Sequence, residues 1–155
     1  MLKGHPKGLI SAALSNMGER FGYYIMNAVL TLFLCSKFGL SDATAAIIYS
    51  CFYCGIYILS LVGGIIADKT QNYKGTIQKG LLTMAAGYIL LAIPITATSA
   101  NTSWLLPLTC FALLMIAFGN GLFKGNLQAI VGQMYDNFEA EEAKTGPEAL
   151  KIAKE

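Results

Sequence analysis

The chain has 155 residues, 55% of them hydrophobic and 13% charged, with 11 Lys and Arg against 9 Asp and Glu. An ordinary soluble domain carries roughly 25% charged residues, so this composition excludes one. The net charge of +2 gives no support for a nucleic-acid partner, because it averages a basic front part with a net acidic tail that starts at Asp136.

Four long apolar stretches lie between the charge clusters, at about 8–34, 43–67, 80–99 and 103–135. Each reaches the ~20 residues that a helix needs to cross a ~30 Å hydrocarbon core. The pattern predicts an all-α membrane protein, with four transmembrane helices within residues 1–135 and a polar cytoplasmic loop over 136–155.

The first stretch is too long for a cleavable signal peptide and carries Glu19 and Arg20, so it is expected to remain as helix one, entered through the turn at His5-Pro6-Lys7-Gly8. Helix two follows the N-cap signal Ser41-Asp42. Pro94 is expected to kink or end helix three. Trp104 and Pro107 are expected to mark the interfacial first turn of helix four, which ends around Tyr135. In the tail, Thr145-Gly146-Pro147-Glu148 reads as a capping box that opens a further helix, which makes the chain look like the front part of a longer protein.

Lys3 and Lys7 at the start, with Lys69, Lys74 and Lys79 between helices two and three, outnumber the single Lys37 in the other two loops. By the positive-inside rule both ends of the chain are expected in the cytoplasm. Cys51 and Cys54 form a CxxC, but they sit inside an apolar span, where cysteine behaves as a small apolar residue. No P-loop, nucleophile elbow or His–Cys constellation occurs, so neither an enzyme nor a metal site is expected.

The chemistry is concentrated on two helix faces. Asn16, Glu19, Arg20, Tyr23, Tyr24 and Asn27 differ by three or four residues and make one polar stripe along helix one. A single charge at a helix centre costs ~2.5–3.5 kcal/mol on insertion scales, so this stripe has to face protein or water. On helix four, Asn120, Lys124 and Gln128 share a face beside the small residues Ala117, Gly121 and Gly125, a ridge that lets backbones approach closely. Helices one and four are therefore expected to bring Glu19, Arg20 and Lys124 together around a polar cavity. Two cations and one carboxylate would favour an anionic guest.

These motifs resemble those of a known group. NMGERFGYY, 16–24, is similar to the ExxERFxYYG signature on the first helix of the proton-coupled oligopeptide transporters, a branch of the major facilitator superfamily. GHPKGL looks like the entry to that helix, GGIIADK resembles the GGxxADR stretch that closes helix two, and GNGLFKGNLQAIVGQMY, 119–135, resembles the GxGxxKPNxxxxxGxxY pattern of helix four.

The resemblance implies that these four helices form part of the N-terminal six-helix bundle of a major facilitator fold in the cytoplasmic membrane, with the C-terminal half outside this sequence. It implies proton-driven symport of small peptides by alternating access, with the proton as coupling ion and no cofactor. Glu19, Arg20 and Lys124 would couple the proton. Arg20, Tyr23, Tyr24, Asn27, Tyr57, Asn120 and Lys124 would border the peptide, with Tyr53 one turn before Tyr57, and Asp68 and Lys69 would belong to a cytoplasmic gate. Two positions depart from the pattern: Asn16 stands where the signature has a first glutamate, and Gly125 where helix four has a proline. A major facilitator for another solute, or a self-standing four-helix membrane protein that acts by association, are the alternative readings.

Overall fold

Four helices in chain order make up the structure, a computed structural model that describes residues 5–146: α1 (Leu9–Phe38), α2 (Asp42–Thr70), α3 (Tyr73–Leu91) and α4 (Thr102–Thr145). α1, α2 and the Thr102–Ala143 part of α4 are long and apolar enough to cross a membrane. α3 has 19 residues and opens on the polar turn Tyr73-Lys74-Gly75-Thr76.

Local chemistry sets the helix ends. Ser41 caps α2, its side chain accepting from the Thr44 N–H at 3.3 Å, and the chain leaves α1 through Gly39 at φ 64°, a left-handed conformation that glycine adopts without steric cost. Asn72 caps α3 by accepting from the Gly75 N–H at 3.0 Å. α3 therefore begins earlier than the apolar stretch at 80–99. It also ends earlier, at Leu91, ahead of Pro94.

Two expectations about α4 are corrected. Pro107 lies inside the helix rather than in its first turn, because α4 already starts at Thr102, after a loop in which Asn101 Oδ1 accepts from the Thr98 N–H at 2.6 Å. The helix also does not stop at Tyr135; residues 136–145 continue it instead of forming a loop. Asp136-Asn137-Phe138-Glu139-Ala140-Glu141-Glu142-Ala143 is polar, yet Glu and Ala are strong helix formers. The capping box at 145–148 extends past the described residues.

α4 is the axis of the assembly, with α2 on one side and α3 on the other. Glycines make both approaches possible. A Cβ on Gly121 would lie 2.6 Å from the Leu59 carbonyl oxygen, and one on Gly63 would lie 2.6 Å from the Gly121 carbonyl oxygen, so α2 and α4 touch backbone to backbone. Toward α3 the same holds of Gly119 and Gly80, where a Cβ on Gly80 would lie 2.8 Å from the Gly119 carbonyl oxygen. At Gly125, the third member of the expected ridge, an added Cβ would meet no neighbouring element within 4 Å.

Buried Asn126 bolts the α2 contact by donating to the Gly63 carbonyl at 3.2 Å and to the Leu122 carbonyl at 2.7 Å. α1 joins this unit through Tyr23, Met26, Leu30 and Leu34, which pack with Phe52 and Ile56 of α2 and with Leu113, Ile116 and Ala117 of α4. Its far end is held by Lys37, which donates to the Ile93 carbonyl at 3.0 Å with its ammonium 5.1 Å from the Phe33 ring centroid.

Gly121→Val is expected to destabilise the detergent-solubilised protein by about 1–3 kcal/mol, the usual range for overpacking, whereas Gly125→Ala should leave stability unchanged or slightly improved. Thermal unfolding of the two variants checks this, and equal losses would contradict the close approach at Gly121.

Candidate functional site

Glu19 lies on the buried face of α1 with Ala12, Tyr23, Met26, Leu30 and Leu34, spacings that keep to one side of a helix. Its side chain is 1% exposed, against 21% for Arg20. Asn120 of α4 donates from Nδ2 to Glu19 Oε1 at 2.6 Å, and Arg20 Nε stands 3.0 Å from Oε2.

Adjacent residues point ~100° apart on a helix, so Arg20 bends back to meet its neighbour and the contact is an ion pair without a directed hydrogen bond. Oε2 is left without a hydrogen-bond donor. The Arg20 guanidinium lies 5.7 Å from the Tyr23 ring centroid. Its two terminal nitrogens make no hydrogen bond among the described residues and remain available to an anion.

A cavity of about 80 Å³ opens beside this pair, lined by Arg20, Tyr23, Tyr24, Asn27, Tyr53, Ile56, Tyr57, Asn120 and Lys124. All seven residues that the sequence patterns and the family resemblance nominate for a substrate wall border it. At roughly 30 Å³ per water in the liquid the cavity holds a few waters. A larger groove of about 250 Å³ between α2 and α4, bordered by Ile47, Phe52, Cys110 and Leu114 among others, contains no charged side chain.

Lys124 does not form an ion pair with Glu19, which pairs with Arg20 instead. The Lys124 ammonium sits 5.0 Å from the Tyr57 ring centroid. Tyr57 belongs to a phenolic ladder on α2. Its hydroxyl donates to that of Tyr53 at 3.4 Å, and Tyr53 stacks on Tyr49 with ring centroids 6.1 Å apart. Asn27 of α1 joins the ladder by donating to the Tyr49 hydroxyl at 3.0 Å.

The polar stripe of α1 is thus divided by packing. Glu19 and Tyr23 are buried, Arg20 and Asn27 are half-buried at the cavity, Tyr24 is exposed at its rim and Asn16 is exposed away from it. On α4 Asn120 is buried, Lys124 is half-buried and Gln128 is exposed. Tyr49 was not among the nominated residues. It carried a signal, the spacing of four that it shares with Tyr53 and Tyr57.

At the other end of α2, Asp68 accepts from the Tyr73 hydroxyl at 2.8 Å. That hydrogen bond, which a phenolate could not donate, pushes the Tyr73 phenol above its ordinary value. Asp68 and Lys124 border one groove that also passes Tyr57, Ser60 and Gly64. Lys69 is exposed and lines neither space.

A family profile of the Major Facilitator Superfamily covers residues 12–143, through all four helices. The chain belongs to this superfamily. Among similar proteins is a dipeptide and tripeptide permease A of Chromobacterium violaceum, 36% identical over 118 residues, which cover 76% of this chain and 22% of the permease. The permease of that name from Escherichia coli is 30% identical over 131 residues, 84% of this chain and 25% of its own length. A di-/tripeptide transporter of Lactococcus lactis is 32% identical over 139 residues, 85% of this chain and 26% of its own. The chain thus spans about a quarter of the length of the curated relatives it matches. These names fall in the branch that the motifs on α1 and α4 resemble. No solved structure matches the chain significantly. As a major facilitator the protein is a multi-pass membrane protein.

Asn120→Ala removes the one hydrogen bond that Glu19 receives in a buried place, and is expected to cost about 1–3 kcal/mol. Gln128→Ala on the same face should fall within about 0.5 kcal/mol of the wild type, as exposed substitutions do. Thermal unfolding in detergent separates the two, and equal stability of both variants would contradict the burial difference along α4.

Proposed function

We propose that this chain forms one wall of the translocation site of a proton-driven di- and tripeptide symporter in the cytoplasmic membrane. The observation that carries the reading is the cavity itself, lined by Arg20 and Lys124 with tyrosine and asparagine side chains, while the carboxylate of buried Glu19 pairs with Arg20 behind this lining. A small peptide is an anion at its C-terminus and a string of hydrogen-bonding amides elsewhere. Arg20 offers two free nitrogens to the carboxylate, in a fork suited to bidentate pairing, and Lys124 adds a second cation. Asn27 Oδ1 and Asn120 Oδ1 are buried acceptors without a donor, capacity that an N–H of a guest can use after small side-chain movements.

The same geometry supports a reading in which the proton is coupled through Glu19. Glu19 shares Arg20 with any anion that enters, so a peptide carboxylate that draws Arg20 away leaves Glu19 with fewer reasons to stay charged, and a proton takes the place of the cation. Asn16 cannot carry that proton, which makes Glu19 the carboxylate of this wall. The groove that Lys124 and Asp68 both border leads toward the cytoplasmic end of α2, where Asp68 and Lys69 would contribute to the gate. In this reading both ends of the chain are cytoplasmic, and a C-terminal half of the transporter supplies the opposite wall. The named activities of the di- and tripeptide permeases support the substrate class.

The test is uptake of labelled dialanine into vesicles that hold a full-length transporter carrying this segment, with and without an inward proton gradient. Gradient-stimulated uptake is expected. Arg20→Ala and Lys124→Ala should each reduce it at least tenfold, the minimum expected for losing a charge-assisted hydrogen bond, with the protein still present in the membrane. Wild-type vesicles that take up no dipeptide would overturn the substrate class, and normal driven uptake in both variants would overturn the assignment of the wall.

A further inference from the structure

Two residues both pair with Glu19 and border the cavity, Arg20 and Asn120. Arg20 is a half-buried cation on the same helix as Glu19. Asn120 is a buried amide on α4, between Gly119 and Gly121, whose backbones lie against α3 and α2. It donates from Nδ2 to Glu19 Oε1 at 2.6 Å, and its Oδ1 is buried without a hydrogen-bond partner among the described residues. A buried acceptor with no donor is costly.

The charge of Glu19 accounts for it. An ionised carboxylate only accepts hydrogen bonds, whereas an amide has donors on its nitrogen and an acceptor on its oxygen. Ionised Glu19 therefore holds the amide with Nδ2 inward, because the opposite orientation sets oxygen against oxygen, and Oδ1 is left over. Protonated Glu19 has an O–H to give. A half-turn about the terminal torsion of Asn120, which has two broad wells, lets Oδ1 accept that O–H and puts Nδ2 where Oδ1 stood. The two atoms are nearly the same size, so the exchange needs no new space.

The titratable and charged groups around the pair are Arg20 and Tyr23 of α1, Tyr53 and Tyr57 of α2 and Lys124 of α4, which line the cavity, and Tyr88 of α3, packed on the core that includes Tyr23. Of these Arg20 pairs with the carboxylate, and none hydrogen-bonds to the Asn120 amide.

We propose that Asn120 is a positioning residue that carries the protonation state of Glu19 to the cavity, with an acceptor free while Glu19 is ionised and a donor free once it is protonated. The proton stays on Glu19, and the amide neither gains nor loses one. The sign agrees with symport. Protonation loosens Arg20 and frees an N–H, both of which suit a carboxylate or carbonyl of the guest, while ionisation holds Arg20 back and leaves an oxygen that repels one. This inference rests on the symport reading for its purpose, but the turn of the amide does not.

Infrared difference spectra between neutral and acid pH test it on the purified full-length transporter in lipid, with asparagine labelled at its side-chain carbonyl. The carbonyl stretch of protonated Glu19 is the band that Glu19→Gln removes. The Asn120 carbonyl is the band that Asn120→Leu removes or, should that variant not fold, Asn120→Ser. As the Glu19 band grows, the Asn120 band is expected to move to lower frequency, its oxygen having gained a hydrogen bond, and in Glu19→Gln it should not respond to pH. An Asn120 band that stays in place while Glu19 takes up its proton overturns the proposal, as does a Glu19 that takes up no proton wherever the protein is folded. Dialanine binding gives a second readout: the ratio of acid to neutral affinity should fall about tenfold in the Asn120 variant, the scale of one hydrogen bond. Equal weakening at both pH values would mark a merely structural side chain and overturn the proposal. A wild type that binds no dipeptide would remove the symport reading, while the spectra, which need no substrate, would still decide the turn of the amide.

Discussion

A carboxylate one-third of the way along a membrane helix has to be met by donors from a neighbouring helix, and the hydrogen bond from Asn120 to Glu19, 2.6 Å long, meets it. The geometry of the site follows from that contact. It fixes the rotation of α1 about its axis, so that Tyr23, Met26, Leu30 and Leu34 turn inward together. It also leaves Arg20 at the cavity edge with its fork unused. A stronger pairing, with Arg20 bidentate to Glu19, would have satisfied the charges more fully and left nothing to offer a guest. The incomplete ion pair is therefore the part of the structure with chemical freedom.

That contact depends in turn on α4 being where it is. α4 stands against α2 at Gly63 and Gly121 and against α3 at Gly80 and Gly119, with backbones close enough that no side chain fits between them. In a bilayer, where burial of apolar surface drives little association between helices, such close packing and buried hydrogen bonds like that of Asn126 are what hold helices together. Asn120 lies between these two glycine contacts on the sequence of α4, so the rigid part of the bundle carries the donor. The partner helix α1 is attached mainly by side chains, through its apolar face and through Lys37 at its far end, which leaves it the part freer to shift when charges around Glu19 change.

The number of helices, the all-α class and the two polar faces were legible in the sequence because membranes impose simple constraints: apolar length, charge clustering and a period of 3.6. The helix ends were less so. Hydropathy reports contact with lipid and not helicity, so the polar continuation of α4 through residues 136–145 escaped it, as did the capped polar start of α3 at Asn72. For the site, spacing identified the face but not the depth. Asn16 and Gln128 share faces with Glu19 and Asn120 and yet are exposed, because burial depends on where the neighbouring helix crosses. Spacing also could not show that Asn120 rather than Lys124 would touch Glu19.

The central claim is that Arg20 and Lys124 present cationic donors to the carboxylate end of a small peptide. Equilibrium binding of dialanine and of its C-terminal amide to the full-length transporter tests it most directly. In the wild type, amidation should weaken binding by about tenfold or more, the least expected when charge-assisted hydrogen bonds are lost. In Arg20→Ala the two ligands should bind more nearly alike. Equal affinity of the acid and the amide in the wild-type protein would contradict the account.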